Sequence, residues 1–300
     1  MPPSDLERLL GHVPGAGDIE LERLSSGMGR DTYRVCRDGV RYAVKVRTDT
    51  AGAQLPQRRF ESEVIERAAA AGISARLVAA DADCTVLVLE WLEGVAMSES
   101  SAKLPDARLA ALLRDIHALP LPSVRRVMSA RDWVQHYDHA LDCAARGVRE
   151  LAGRAQDALR RLDKMQAAPN LCICHSDLHR LNVLTLEGGP RPGALALIDW
   201  EYSHLSEPFW DLAGWSANND LEVPARHALL DLYLGRAASD AERDRLAALC
   251  WLYDYVCLQW IGLYVTRQPE PGASFGARAA LLESRLKTPV YGTIAVPSDI

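Results

Sequence analysis

No sign of charge dominates this chain: 34 lysines and arginines stand against 40 acids in 300 residues, a formal net charge of −6. Binding along a phosphate backbone needs a basic surface, so no nucleic-acid partner is expected. Arginine pairs such as Arg125–Arg126 and Arg160–Arg161 sit in helical patterns and read as solvated faces. Cysteine is scarce and odd in number, seven in all. That argues against a disulfide framework and for a reducing compartment. The opening "MPPSDLERLLGHV" shows no basic segment leading into an apolar core, so a cytoplasmic location is expected. Internal repeats and low-complexity tracts are missing too. Long apolar runs are limited to residues 246–266, "LAALCWLYDYVCLQWIGLYVT", which have the length of a membrane span. Asp254 near the middle would cost ~2.5–3.5 kcal/mol in lipid. A buried helix, with no membrane partner, is the expectation.

The apolar content, 48%, is enough for a sizeable core in one large unit or two lobes. After a short capped helix over "LERLL", the stretches "IELERLSSGMGRDTYRV" and "VRYAVKVRT" alternate apolar and polar residues around turn signals such as Asp38-Gly39. "PQRRFESEVIERAAAAG" is helical and stops at Gly72. "ARLVAADADCTVLVLEWLEG" supplies two further strands, the second nearly all apolar and so interior. Beyond Gly94 helical periodicity dominates 105–119, 131–165, 222–236 and 239–267, interrupted by two short apolar strands around a Gly/Pro turn. The expected plan is α+β: a small antiparallel β lobe with one helix over 1–93, and a larger, mainly helical lobe over 94–300.

Residues 172–182, "CICHSDLHRLN", crowd two cysteines, two histidines, an aspartate and an asparagine together. A structural zinc site draws four ligands, often as two separated close pairs, and no second Cys/His pair follows. Cys172 and Cys174 share one face of a strand and read as small apolar packing residues. The alternative is phosphoryl transfer. That chemistry needs a carboxylate to take the proton of the attacking hydroxyl, oxygen ligands for Mg²⁺, and a lysine with a mobile loop to fix the nucleotide. Asp177 and Asn182 can supply a base and a metal ligand, and Asp199, after "ALALI", the main metal carboxylate.

"HSDLHRLNVL" followed by "LIDWEY" resembles the H-x-D-x-x-x-x-N and I-D-x-E pair of the aminoglycoside phosphotransferase and choline kinase superfamily, and most of all bacterial choline kinases. The resemblance runs from about residue 20 to about residue 265. It implies a protein-kinase-like bilobal fold, with ATP and Mg²⁺ in the cleft near residues 90–95. "LSSGMGRDTYRV" then covers the nucleotide phosphates through Gly27 and Gly29, and Lys45 in "RYAVKV" contacts them, although a lysine on such a strand can equally face solvent. Either Glu61 or Glu63 can pair with Lys45; the resemblance aligns Glu61, leaving Glu63 and Glu66 as surface charges. The connector at Glu90, Trp91 and Leu92 contacts adenine, Asn182 and Asp199 hold the metal, and Asp177 acts as the catalytic base. His175 braces the catalytic loop and Asp211 anchors its backbone.

The superfamily phosphorylates hydroxyls of small, often cationic molecules. "IDWEYSHLSEPFWDLA" is similar to choline and thiamine kinases. A chain end with one acid, Asp299, lacks the acidic, aromatic ending common among 3′-aminoglycoside enzymes. The implied acceptor is choline, followed by ethanolamine or thiamine and then an aminoglycoside; a catalytically silent, ligand-binding relative is the rival of another class. Trp251, Asp254, Tyr255 and Leu258 fall on one helical stripe, with Trp260 beside it. Aromatic faces and a carboxylate suit a quaternary ammonium. The same stripe also fits a buried core. Glu201 is a second candidate for the cationic end.

Overall fold

The computed structural model describes residues 11–26, 29–47, 55–140, 146–165, 171–267 and 273–287. The helix expected over "LERLL", the glycine Gly27 and the chain end beyond 287 lie outside the described residues.

Five strands form the first sheet: β1 (Ile19–Ser26), β2 (Arg30–Arg37), β3 (Val40–Arg47), β4 (Leu77–Ala80) and β5 (Val86–Glu90), in the antiparallel order β1-β2-β3-β5-β4. The apolar run of β5 has a neighbour on both sides, which is why Val86, Leu87 and Val88 are all buried. The register sets Lys45 opposite Thr32 on one side and Leu87 on the other. Lys45 is buried, so it points inward and not to solvent.

The helix Leu55–Ala70 follows β3 and buries Phe60, Val64, Ile65 and Ala68. It ends where predicted: Gly72 adopts φ +69°, and the Ile73 amide reaches back to the Ala68 carbonyl at 2.7 Å. That left-handed cap is cheap only for glycine.

The remainder is mainly helical and carries two small sheets. In one, β7 (Cys172–Cys174) pairs with β10 (His204–Ser206); in the other, β8 (Val183–Leu186) lies between β6 (Gly94–Ala96) and β9 (Leu195–Leu197). Helices Ala107–His117, Val223–Leu234 and Asp240–Arg267 fall within the expected segments, and the stretch expected over 131–165 holds two helices, Ala130–Ala140, which starts one residue early, and Arg146–Lys164. Three helices, the four-residue Glu99–Ala102, Phe209–Asn218 and Ala273–Lys287, were not anticipated. Phe209–Asn218 is buried on almost every face, including Trp210, Asp211 and Trp215, so its sequence has no polar side to betray a 3.6-residue period. Asp240–Thr266 is long and apolar enough to cross a bilayer, but 78% of its most apolar window is buried within the protein.

The two parts are stitched together beside the cleft. Leu197 donates its amide to the Ile73 carbonyl (2.7 Å), and Trp200 Nε1 donates to Ser74 Oγ (2.9 Å). Glu63 accepts from the Ser123 amide (2.7 Å) and hydroxyl. It is therefore a tether, not the free surface charge expected of it.

Candidate active site

The loop after β7 leaves the strand through a strained corner. Ser176 sits at φ +68°, a conformation that costs a non-glycine residue ~1–3 kcal/mol. Asp211 holds it there: its two carboxylate oxygens accept from the amides of His175 (2.9 Å) and Ser176 (2.8 Å). His117 Nε2 lies 3.2 Å from the same carboxylate. The His175 ring bonds the Ile198 carbonyl (2.9 Å) and stacks obliquely on Trp200, 4.7 Å between centroids. Both residues therefore touch backbone or structural partners.

Downstream of that corner, Asp177 and Asn182 meet across a 3₁₀ turn, Arg180–Asn182. The Asn182 amide nitrogen donates to both the backbone oxygen (2.9 Å) and the carboxylate (3.1 Å) of Asp177. His179 Nε2 approaches the same carboxylate at 3.6 Å.

Asp199 is brought beside them by β9 and is the second strained residue, again at φ +68°. Its Oδ1 accepts from Lys45 Nζ at 2.6 Å. Burial alone would raise its pKa, but the Lys45 charge and hydrogen bond, followed by Arg30, bring it down to about 2. Glu201 shows the opposite balance. Burial and the neighbouring Asp199 charge push it up to about 7, against the pull of Arg30 and Lys45.

One expectation about this network is corrected. The expected Lys45–Glu61 pair is absent: Lys45 binds Asp199, while Arg30 claims Glu61 through a fork, Nη1 to Oε1 at 2.6 Å and Nη2 to Oε2 at 2.7 Å. Arg47 approaches Glu61 at 4.0 Å. A planar guanidinium matches a carboxylate better than an ammonium can, and it holds Glu61 ionised despite burial. Arg30 also lies 3.7 Å from Glu201. Sequence reasoning passed over it because an arginine opening a strand is usually solvated. The expected connector begins at the end of β5. The Glu90 amide donates to the Arg76 carbonyl (2.9 Å), which removes it as a donor to a ligand. Trp91 and Leu92 follow between β5 and β6, half-buried, and Gly29 occupies the bend before β2.

Beside Asp177 opens a cavity of about 520 Å³, within the ~300–1,000 Å³ usual for small-molecule sites. Its rings include Trp133, Tyr137, Tyr202, Trp260, Tyr264 and Phe275; its carboxylates are Asp177 and Glu201. Trp260 donates from Nε1 to Tyr202 Oη (3.2 Å) and stacks on Tyr264, 5.3 Å between centroids. Trp251, Asp254 and Tyr255 do not line it. They face the core: Asp254 is fully buried and pairs with Arg285 at 2.9 Å, while Trp251 stacks on Tyr255. Trp133 and Tyr137 were missed, though four-residue spacing puts both on one face of their helix.

Cys172 and Cys174 sit 3.9 Å apart, Sγ to Sγ, and donate to the carbonyls of Ser206 and Glu207. His117 brings a third potential ligand atom within 4.8 Å of both sulfurs. Its two ring nitrogens already face Tyr233 Oη (2.8 Å) and Asp211. Burial drives the Cys174 thiol far up, away from the thiolate a metal needs.

Residues 20–249 match the model of the phosphotransferase enzyme family, APH, and the chain belongs to that family. It is a phosphotransferase with the kinase-like α+β fold of the aminoglycoside phosphotransferase and choline kinase superfamily. Among solved structures it is similar to a choline/ethanolamine kinase family protein from Mesorhizobium loti: TM-score 0.71, 23% identity, 92% of this chain and 89% of that one. It is similar to choline kinase LicA from Streptococcus pneumoniae, TM-score 0.67, 21% identity, 88% of this chain and 94% of that one. A microcompartment-associated aminopropanol kinase gives TM-score 0.69 and 16% identity, with 94% of each chain covered. At such identities these likenesses establish the fold. A comparison with curated proteins gives no significant match.

Proposed function

We propose that the protein transfers the γ-phosphoryl group of ATP to the hydroxyl of a small cationic alcohol, with choline first and ethanolamine or thiamine next. The observation that carries this reading is the placement of the Asp177 carboxylate on the wall of a cavity lined by aromatic rings, with Glu201 beside it. Aromatic faces contribute ~0.5–2 kcal/mol each to holding an ammonium, and a nearby carboxylate adds charge complementarity. The names of the similar enzymes, choline/ethanolamine and aminopropanol kinases, agree with a small amino alcohol.

The donor set fits magnesium, a hard cation that takes oxygen ligands. With its amide nitrogen committed to Asp177, Asn182 has its carbonyl oxygen left to ligate, and Asp199 is held ionised at pH 7. When bound by Asn182 and Asp199, the metal would neutralise charge on the phosphates. Gly29 and the residues before it would cover the nucleotide, Trp91 and Leu92 would contact its base, and Lys45 would move from Asp199 to a phosphate oxygen. Glu61, locked by Arg30, would fix the local field instead of steering Lys45 directly.

Asp177 would orient the acceptor hydroxyl and take its proton. The acceptor oxygen then forms a bond to the γ-phosphorus as the bond to the β,γ-bridging oxygen breaks, and ADP leaves with that electron pair. Asp211 and His175 would act only through the loop they hold. An aminoglycoside is a weaker fit: a polycation asks for many acids, and Asp177 and Glu201 are the carboxylates this cavity presents among the described residues.

The test is ATP consumption with product detection across choline, ethanolamine, thiamine, aminoglycosides and small sugars. Turnover of an amino alcohol is expected, and Asp177→Asn should lower kcat by ~10²–10⁴-fold with an unchanged circular dichroism spectrum. A variant that keeps most activity, or turnover confined to aminoglycosides, would overturn the reading.

A further inference from the structure

A small amino alcohol occupies only a fraction of the aromatic cavity, and the cavity does not end there. A second chamber of about 460 Å³ adjoins it, sharing His179, Asn218, Phe275 and Arg278 as common wall. Where the inner chamber is lined by rings, the outer one is lined by charges. Most of them cancel in pairs: Lys103 Nζ lies 2.8 Å from Glu99, and Arg278 Nη1 lies 2.7 Å from Asp220, which also takes Arg285. Arg180 is the exception. Among the described residues no carboxylate or carbonyl accepts from its guanidinium, and its backbone amide donates to Asn219 Oδ1 at 3.1 Å, fixing the turn that carries it. It is half-buried and lies three residues from Asp177.

Resting on the phosphotransferase reading above, we propose that the site accepts, beyond the small alcohols, an elongated, two-ended alcohol and prefers it. Its cationic, apolar body sits among the rings of the inner chamber, and a carboxylate at its far end reaches Arg180 in the outer one. The physical grounds are the surplus cation and its rigid mount. Among the described residues no carboxylate approaches this guanidinium within 4 Å, Glu99 acting on it only from farther off, and the chamber's other charges are paired; it offers a planar fork at little reorganisation cost to a planar anion. A carboxylate also explains why the groove should change character along its length. An acceptor made only of cation and hydrocarbon would find an unmatched positive charge at the exit.

Three probes separate this from the parent reading: choline, its analogue with one N-methyl replaced by benzyl, and the 4-carboxybenzyl counterpart. With Mg-ATP, kcat/KM should be at least fivefold higher for the carboxybenzyl than for the benzyl compound. In Arg180→Gln that ratio should fall to about one, and in Arg180→Lys it should be partly restored. Because the ratio is internal to each variant, a general loss of activity or stability does not mimic the effect. Turnover of choline and the benzyl analogue without any gain from the carboxylate would overturn this proposal and leave the parent reading standing. The same holds for a ratio unchanged in Arg180→Gln. Failure of every alcohol in the panel to be phosphorylated would overturn both.

Discussion

Two aromatic stripes run side by side along the helix Asp240–Arg267. One carries Trp251, Asp254 and Tyr255; its neighbour carries Tyr253, Cys257, Trp260 and Tyr264. In composition the first looks the better ammonium site, since it alone contains a carboxylate. In space the second lines the cavity, with carboxylates supplied by Asp177 and Glu201 from other elements. The carboxylate of the first is instead met by Arg285 from the helix Ala273–Lys287. A fully buried acid must be paired within the protein, and that pairing keeps it out of the substrate's reach. An acid on an aromatic stripe is thus as much a sign of internal anchoring as of recognition.

The two stripes should fail in different observables. The largest effect is expected for Asp254→Ala, which leaves Arg285 beside an apolar core: about 3 kcal/mol of stability, the low end for a broken buried pair, because Asp220 still faces Arg285. Urea denaturation reads it directly; a loss below about 1 kcal/mol would mean the pair is not an anchor. Next is Trp251→Leu, which should cost about 2 kcal/mol in the same assay while shifting the acceptor KM less than twofold. A large KM change there would return the first stripe to the substrate site. Smallest in energy is Trp260→Leu, about 1 kcal/mol, appearing as a roughly fivefold rise in KM for a quaternary ammonium acceptor and much less for a neutral alcohol. Equal effects on both acceptors would show that the ring packs without sensing charge.

Much of this architecture could be read from the residues. Alternation identified the first strands from Ile19 and an apolar run the one ending at Glu90, and the Gly72 stop and the long helical segments followed from periodicity and caps. The helix Phe209–Asn218 could not be read, because it is buried on nearly all sides and loses its amphipathic signature. At the site, the loop residues Asp177, Asn182 and Asp199 were legible because their spacing is local to one hairpin, and the structure brings them together with Lys45. What escaped were partnerships between distant segments. Arg30 takes Glu61 across 31 positions, and Arg285 takes Asp254 across 31 more. Both choices depend on which of several arginines reaches the carboxylate, and periodicity carries no information on that. Aromatics of the cavity wall came from four elements, and only those on Asp240–Arg267 had been considered.

The stitch between Leu197 and Ile73, with Trp200 on Ser74, has a mechanical consequence. It fastens the segment after the helix Leu55–Ala70 to the strand that presents Asp199. The two parts are thereby pinned to each other within two residues of that carboxylate, with the Glu63–Ser123 contact as a second pin. A force prying the two parts open would be resisted beside Asp199, the acidic side chain of the proposed site.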